Sequence, residues 1–353
     1  MTELTATRAW LRQNLFSDTF SGLTTLLVLA GALYWLPAAI DWMLLKAVFK
    51  ADAGACHAVN HAGACWGMVT EKYRFILFGR YPHGEQWRPL LATALLLLVI
   101  TTSSLRLLNR RFLMTMWALA LPAFFMLMGG GSFGLIPVGS DQWGGLPLTL
   151  LLATMGMLLA FPLAILVALG RQSALPLLRG VCAIYVELVR GVPLISVLFL
   201  ASFLLPIILP QGLSIDVLLR VQAGIVLFAA AYLSETIRGG LQAVPAGQRD
   251  AATALGLSHW QAMRWIILPQ ALRAVIPSMM NSAVSVFKDT SLVTVVSLYE
   301  LTGALSLALA GDAEWRSYYL EGYLFIALIY WIGCYAMSRF SRGLELESEL
   351  SRL

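Results

Sequence analysis

Long apolar runs separated by short polar segments dominate the chain. Several runs approach roughly 20 residues, which is about the length that a helix needs to cross a bilayer. Backbone groups in lipid must pair within their own segment, and these runs are too long and too apolar for barrel strands. The pattern therefore predicts an all-α polytopic membrane protein. About eight spans are predicted, at Gly22–Ile40, Pro89–Leu107, Phe112–Met128, Leu146–Gly170, Val181–Leu209, Val221–Thr236, Ala271–Leu292 and Tyr318–Phe340.

Composition and charge agree with this class. Hydrophobic residues make up 59% of the chain and charged residues 12%. Because cytoplasmic loops retain Lys and Arg, the basic residues predict that both termini face the cytoplasm. The net charge of +5 then reflects this inner-face basicity and requires no nucleic-acid partner. The predicted outer loop 41–88 is also basic, but long loops follow the rule poorly. The basic residues on the predicted inner side include Arg12, Arg110, Arg111, Arg171, Arg179, Arg249 and Arg264.

The first apolar run also has the basic lead of a signal peptide. It lacks a convincing pattern of small residues for cleavage before the polar loop, so a retained span is expected.

Two of the four cysteines lie in the predicted outer loop. Because that loop faces an oxidising compartment, a disulfide between Cys56 and Cys65 is expected. His57 and His61 lie four residues apart beside these cysteines, so a zinc site is the alternative. Nothing else in the sequence requires a metal, and no metal site is predicted.

A polar stretch, "GQRDAATALGLSHWQAMRWIILPQALR", interrupts the apolar C-terminal half at Gly247–Arg273. Its first part predicts a short helix with Asp250 in the first turn, where a negative charge offsets the helix dipole. Ala251 and Ala252 are strong helix formers with little side-chain bulk, and they create a low face that another backbone can approach closely. Gly256 is expected to end this helix in the left-handed conformation.

The second part of the stretch predicts an amphipathic helix. Ser258 and Gln261 have the spacing of a capping box, and Pro269 indicates the end of the helix. The two helices would form a hairpin between two membrane segments. From the residues alone, this hairpin is either an interfacial connection or an element that docks on another protein.

The hairpin carries a family resemblance. The pattern Asp250-Ala-Ala-x3-Gly256-x9-Ile266-x-Leu268-Pro269 resembles the "EAA" loop of ABC importer permeases, with Asp where that family usually has Glu. The similarity extends from roughly Leu146 to the C-terminus. Its motifs resemble the polar amino acid uptake branch: "YVELVRGVPLISVLF" (Tyr185–Phe199), "AYLSETIRGGLQAVPAGQ" (Ala231–Gln248) and "VFKDTSLVTVVSLYELTG" (Val286–Gly303).

The N-terminal part extends the resemblance. "GACWGMV" and "FGRYPHGEQWRP", in the predicted outer loop, are similar to the larger, M-type permease subunits of general L-amino-acid importers. The resemblance implies the type I ABC importer transmembrane fold. It divides the chain into an N-terminal extension, 1–145, with three spans and a periplasmic loop at 41–88, and a five-helix core, 146–353, with a cytoplasmic coupling loop at 239–270.

The resemblance also implies a function. The chain would be the permease subunit of an ATP-driven L-amino-acid importer in a bacterial inner membrane, forming half of the pathway. Asp250, Ala251, Ala252 and Gly256 would form the coupling helix that contacts a cytoplasmic ATP-binding subunit. The other implied partners are a homologous permease subunit, a periplasmic amino-acid-binding protein and the amino acid itself. ATP and Mg would be bound by the ATPase subunit, and this chain would have no cofactor and no catalytic residue.

Candidate substrate contacts come from the polar membrane segments, because ionisable groups there are costly and mark functional sites. The resemblance implies contacts near the Arg190-Gly191-x-Pro193 break and near the Lys-Asp-Thr-Ser motif. The predicted substrate-pathway residues are Arg190, Gly191, Asn281, Ser282 and Asp289.

A structural role is the alternative for the charged residues of these segments. Lys288 and Asp289 would then form a buried pair, and an external binding protein would carry recognition. Charged residues three apart would likewise pair within their own helix, as Glu187 with Arg190 and Glu235 with Arg238.

A rival function is an ion-coupled secondary carrier. Glu187, Glu235 and Asp289 would then bind the driving ion, and the hairpin would be a linker. A membrane scaffold is a third possibility. The energy source separates the first two, because an ATP-driven importer requires an ATPase partner whereas a carrier works alone on an ion gradient.

Overall fold

The protein, described here from a computed structural model, consists of helices joined by turns and loops. The described residues are 2–105, 108–210 and 212–350, so the end of the predicted span Pro89–Leu107 lies outside them. No β-strand occurs among these residues. The α-helices are α1 (Thr2–Asn14), α2 (Thr19–Ile40), α3 (Ala53–Ala58), α4 (Gly67–Phe78), α5 (Trp87–Ser104), α6 (Arg110–Gly129), α7 (Gly145–Arg171), α8 (Pro176–Arg190), α9 (Leu194–Phe199), α10 (Leu205–Ile208), α11 (Val217–Ala243), α12 (Ala246–Ala254), α13 (His259–Ala262), α14 (Leu268–Asp289), α15 (Leu301–Ala310) and α16 (Tyr319–Leu350).

The prediction of a polytopic membrane protein is confirmed. Among the described residues, six helical segments are long and apolar enough to cross a membrane. A seventh arises if the bent pair α8 and α9–α10 counts as one span. The six segments are Thr19–Leu45, Trp87–Ser104, Arg110–Gly129, Gly145–Arg171, Val217–Ala243 and Tyr319–Leu344.

The predicted span Val181–Leu209 is divided into two helices at the predicted Arg190-Gly191-x-Pro193 break. The chain bends by 106° between α8 and the segment Leu194–Ile208. Gly191 closes α8 by donating its N–H to the carbonyl of Glu187 at 3.0 Å. Pro193 is the N-cap of the next helix, α9, and a proline disfavours helical geometry in the residue before it. The break therefore separates two helices instead of kinking one.

The predicted span Ala271–Leu292 corresponds to α14, a 22-residue helix. It is not among the six apolar segments, because its polar residues lower its hydropathy. It packs instead against α11, where Gly240 allows close approach. A Cβ at Gly240 would lie 2.7 Å from the carbonyl oxygen of Ala271, so a side chain there would separate the two helices.

Two compact units emerge from the contacts within the chain. One contains the residues through Glu71 together with Ala313–Gly322, and the other contains Lys72–Asp312 and the residues from Tyr323 onward. This division follows compactness alone. The boundary between extension and core at residue 145 stays a prediction.

The first unit holds the disulfide. Cys56 and Cys65 are bonded, with their Cα atoms 5.5 Å apart. The Glu321 carboxylate accepts the backbone N–H of Cys65 at 2.9 Å. The rings of His57 and His61 lie 5.9 and 5.8 Å from the ring of Tyr318. The disulfide occupies both thiols of the alternative zinc site, and no group of three or more metal-ligating side chains forms among the described residues.

The second unit is organised around α11. This helix packs against α7, α14, α8 and α9, and 56% of its most apolar stretch is buried. None of the corresponding stretch of α2 in the first unit is buried. The core of the second unit is centred on α11 and also includes side chains of α5 and α6, such as Leu96 and Phe124.

A buried arginine joins α5 to the end of α6. Arg88, counted among the outer-loop bases in the sequence, is fully buried. Its Nε donates to the carbonyl of Leu127 at 2.7 Å and its Nη1 to that of Ile136 at 2.8 Å. The Tyr81 hydroxyl donates to the carbonyl of Met128 at 2.9 Å. These donors satisfy carbonyls that the last turn of a helix leaves unpaired, and burial raises the pKa of Tyr81 to about 12.

Candidate functional site

The hairpin begins with α12, whose C-terminus closes as the sequence predicts. Gly256 has a φ of +72°. Its N–H donates to the carbonyl of Thr253 at 2.9 Å, and the Leu257 N–H donates to that of Ala252 at 3.1 Å. These two bonds form a Schellman motif.

The start of α12 differs from the prediction. The helix begins at Ala246, directly after Pro245, which caps it. Asp250 therefore lies beyond the first turn, and the prediction that it offsets the dipole there is wrong. Proline is well tolerated at a helix start because it has no N–H to leave unpaired. Asp250 instead lies on the exposed surface of the helix.

The second arm forms the predicted capping box. Gln261 N–H donates to Ser258 Oγ at 3.3 Å, and Ser258 N–H donates to Gln261 Oε1 at 2.9 Å. The prediction that this helix ends near Pro269 is wrong. A π-helical turn, Met263–Ile267, leads directly into α14, and Pro269 lies in the first turn of α14, where a missing N–H costs little. The hairpin is thus continuous with the long polar helix.

The two alanines of the hairpin differ in exposure. Ala251 is exposed, whereas Ala252 is fully buried where α12 contacts the second arm. Of the predicted low face, Ala251 alone remains open to another protein. Three large apolar side chains are also exposed on the hairpin and are called the hairpin tip below: Leu255, Trp260 and Trp265, with relative exposures of 77%, 61% and 62%.

A cluster of charged residues joins the ends of α7, α8 and α11. It is called the Glu235 cluster and consists of Arg171, Glu187, Arg190, Glu235 and Arg238. Arg171 donates to the Glu235 carboxylate and lies 3.3 Å from that of Glu187. Arg238 Nη2 lies 2.8 Å from Glu235 Oε2, so the predicted Glu235–Arg238 pair forms.

The predicted pair of Glu187 with Arg190 is wrong. Glu187 pairs with Arg171 of another helix. Arg190 Nη1 lies 3.9 Å from Glu235 Oε2, and its guanidinium lies over the ring of Tyr232, 5.4 Å from the centroid. Arg190 is therefore part of a structural charge cluster and also lies next to the break.

The break and the end of α14 meet at a small cavity. Leu194, the first residue of α9, lines a space of about 10 Å³ together with Asp289 and Thr290. That volume is close to the minimum for one water molecule. Two segments that the sequence singled out for substrate contact are thus adjacent.

A larger cavity lies beside the same helix end. Lys288 and Ser291 line it together with Thr302 of α15 and with Tyr323 and Tyr330 of α16, and its volume is about 440 Å³. Lys288 and Asp289 therefore line different cavities. Lys288 is exposed and forms no ion pair with Asp289 in the part of the chain that the structure describes, so the alternative of a buried Lys288–Asp289 pair is wrong.

The remaining candidates are not brought to either cavity. Asn281 is exposed on α14, and Ser282 donates its hydroxyl to the carbonyl of Ser278 at 3.1 Å. They lie about two turns from Asp289, roughly 12 Å along a helix. Gly191 has ordinary helical φ and ψ, so no left-handed backbone requires a glycine there.

Sequence reasoning missed three residues. Arg171 was counted only as an inner-face charge, because nothing in the sequence shows which helix its side chain reaches. Glu300 and Tyr330 were not singled out, yet the Tyr330 hydroxyl donates to the fully buried Glu300 at 2.7 Å. A lone acid between two apolar segments was the available signal.

The chain is similar in sequence to proteins of known families. Residues 160–346 match the family described as "Binding-protein-dependent transport system inner membrane component". The chain is 42% identical to the inner membrane amino-acid ABC transporter permease protein YhdY of Escherichia coli K12, over 95% of this chain and 91% of that protein. It is 35% identical to the glutamate/glutamine/aspartate/asparagine transport system permease protein BztC of Rhodobacter capsulatus, over 95% and 92%.

A solved structure is also similar. The crystal structure of an amino acid ABC transporter with histidines is 30% identical, with a TM-score of 0.49, over 58% of this chain and 90% of that one. The family match covers the charge cluster, the hairpin and both cavities. The chain is a multi-pass membrane protein that belongs to the family of binding-protein-dependent transport system inner membrane components.

Proposed function

We propose that this chain is the permease subunit of an ATP-driven L-amino-acid importer with the type I transmembrane fold. The observation that carries the proposal is the continuity of the hairpin with α14 through the π-helical turn at Met263–Ile267. A force applied to α12 by another protein would be transmitted along this helix to Asp289 at its far end. Rigid-body gating about a membrane site requires such a connection.

The hairpin would face the cytoplasm, as would both termini, in a bacterial inner membrane. A cytoplasmic ATP-binding subunit would contact α12 through Asp250, Ala251 and the hairpin tip. Gly256 would set the exit turn of α12, and Ala252 would hold its two arms together. That partner would bind ATP and Mg, and this chain would have neither a cofactor nor a catalytic residue. A homologous permease subunit and a periplasmic amino-acid-binding protein would complete the complex.

The substrate would be an L-amino acid. An amino acid zwitterion needs donors for its carboxylate and acceptors for its ammonium group, and the end of α14 offers both types. Asp289 and the break at Gly191–Pro193 would lie on the pathway, together with Arg190, Asn281 and Ser282. The two relatives support this class, because both are named as permease proteins for amino acids.

An ion-coupled secondary carrier is the less well supported function. Two of its three candidate carboxylates, Glu187 and Glu235, are paired with arginines, so they are already neutralised. Membership of a binding-protein-dependent family also points to an ATPase partner.

The test is a pull-down from detergent-solubilised native membrane with the Gly256→Asp variant. A side chain at a positive φ costs about 1 kcal/mol or more, and it would distort the exit turn of the hairpin. Gly343→Asp is the matched control, because it makes the same change at an exposed glycine of α16 with no atom within 4 Å of the added Cβ. We expect wild type and the control to retain an ATP-binding subunit and a second permease, and Gly256→Asp to lose the ATPase and to abolish uptake while still inserting.

Normal ATP-dependent uptake by Gly256→Asp would overturn the docking role of the hairpin. Purification of the wild-type protein alone, with transport driven by an ion gradient, would overturn the importer and favour the carrier.

A further inference from the structure

Glu300 is a buried carboxylate that the pathway described above does not use. It caps α15, and its Oε1 accepts the backbone N–H groups of Thr302 and Gly303 at 2.8 and 3.1 Å. Thr294 donates its hydroxyl to the same oxygen at 3.2 Å. The side chain is fully buried, and within the described residues no basic group forms an ion pair with it.

The other oxygen of Glu300 faces two more helices. Its Oε2 accepts the Tyr330 hydroxyl of α16 at 2.7 Å and the Thr149 hydroxyl of α7 at 3.2 Å. Thr149 in turn accepts the N–H of Leu301 at 3.1 Å. Burial raises the pKa of Glu300, and the hydrogen bonds from Tyr330 and from the backbone lower it. Donors on both oxygens are the arrangement that a carboxylate requires.

Tyr330 and Thr302 connect this carboxylate to the larger cavity. Both residues line it, together with Lys288 and Ser291. The ring of Tyr330 is held from the other side by Phe287, with centroids 5.2 Å apart. Because the only hydrogen of the Tyr330 hydroxyl is donated to Glu300, that hydroxyl can only accept a further hydrogen bond. The cavity wall thus offers an acceptor at Tyr330 and a cationic donor at Lys288.

We propose that Glu300 is a positioning residue for transport: it holds the Tyr330 hydroxyl as an acceptor on the wall of the Lys288 cavity. An acceptor beside a cationic donor matches the ammonium and carboxylate groups of a passing amino acid. This inference rests on the proposed function, since it assumes that an amino acid passes the cavity. In this arrangement Tyr330 contacts the ammonium group of the substrate directly, whereas Glu300 acts only through Tyr330.

Two substitutions separate this role from a purely structural one. Tyr330→Phe removes only the hydroxyl and keeps the ring against Phe287. Glu300→Gln keeps an acceptor for the α15 cap but presents an amide N–H₂ to Tyr330, so that the tyrosine hydrogen turns toward the cavity. Tyr335→Phe is the matched control, because Tyr335 is an exposed tyrosine of the same helix with 53% relative exposure.

The assay is uptake of radiolabelled L-glutamate, L-glutamine and L-lysine by cells that carry each variant as the sole copy of the chain. Rates are normalised to the amount of assembled complex. An external binding protein would determine KM, so a defect inside this chain appears in the maximal rate. We expect the maximal rate to fall about tenfold in each single variant, with KM and assembly unchanged, and no further in the double variant, because both changes act through one hydroxyl. Tyr335→Phe should match wild type.

A Glu300→Gln variant that assembles poorly but transports at the normal rate per complex would overturn the proposal, as would multiplying effects in the double variant. Failure of the proposed function is distinguishable, because wild-type cells would then take up none of the three amino acids in an ATP-dependent manner.

Discussion

Lys288 and Asp289 are consecutive in the chain, yet they line two different cavities. Lys288 lies on the 440 Å³ cavity beside α15 and α16, and Asp289 lies on the 10 Å³ cavity beside α9 and α11. Adjacent helical residues differ by about 100° in direction, so a helix end can present one charge to each side. The two side chains form no ion pair within the described residues, and each lines its own cavity.

This separation predicts that substitutions of Lys288 and of Asp289 change the stability of the protein independently. We expect the melting-temperature shifts of Lys288→Met and Asp289→Asn to be nearly additive in the double variant, because the two side chains form no ion pair in the part of the chain that the structure describes and line different cavities. The measurement is thermal unfolding of the purified complex in detergent. A double variant that is less perturbed than the sum of the two single variants would reveal a pair that the geometry does not contain.

The two alanines of the hairpin should respond differently to the same substitution. Ala252 is fully buried, so Ala252→Leu should overpack the hairpin and cost about 1–3 kcal/mol. Ala251 is exposed, so Ala251→Leu should leave the fold intact and weaken only the contact with the ATPase. Limited proteolysis of the hairpin and co-purification of the ATPase distinguish these outcomes. Equal protease sensitivity in the two variants would contradict the assignment of faces.

The apolar runs were sufficient to predict the membrane class, because span length and hydrophobicity are properties of single segments. The turn at Gly256 and the capping box at Ser258 were predictable for the same reason, since their hydrogen bonds are local. The prediction that the second hairpin helix ends near Pro269 was wrong because proline can either end a helix or begin one. The π-helical turn before it has no sequence signature.

The partners of charged residues could not be predicted in the same way. Spacing along one helix indicated Arg190 for Glu187, but the structure brings Arg171 from α7. The five hydrogen bonds to Glu300 come from α7, α15, α16 and the turn before α15, so no window of sequence contains them. Such clusters depend on how the helices pack.

The Glu235 cluster makes a prediction about stability. Glu235 is the shared acceptor of Arg171 and Arg238, and its side chain is 18% exposed. Glu235→Gln should remove the counter-charge that the two guanidinium groups share, leave Arg171 with only the exposed Glu187, and lower stability by about 1–3 kcal/mol. Glu187 is the matched control, because its side chain is 68% exposed and exposed pairs contribute about 1 kcal/mol or less.

The check is the melting temperature of each variant in detergent at low and at high salt. Glu235→Gln should melt well below Glu187→Gln at both salt concentrations. Equal melting temperatures would show that Glu235 does not organise the cluster.

The titration of Tyr81 leads to a prediction of how the stability of the second unit changes at alkaline pH. Its hydroxyl donates to the carbonyl of Met128, and burial raises its pKa from 10.0 to about 12. The folded protein therefore releases this proton at a higher pH than the unfolded chain does. The contribution of Tyr81 to stability is fully present below about pH 10 and is lost as the pH rises through about 12.

Tyr81→Phe removes both the hydrogen bond and the titrating group, and these two losses have separate signatures. At pH 8 the variant should be less stable than wild type by about 1 kcal/mol, the usual contribution of one hydrogen bond. Between about pH 10 and 12, where wild type loses the contribution of Tyr81, the melting temperature of the variant should fall less steeply. Tyr73→Phe, at a tyrosine of α4 with 45% relative exposure, controls for the general effect of alkali on the complex. If Tyr81→Phe and wild type lose stability in parallel over this range, Tyr81 is not the group that titrates, and the cap on α6 depends on Arg88 alone.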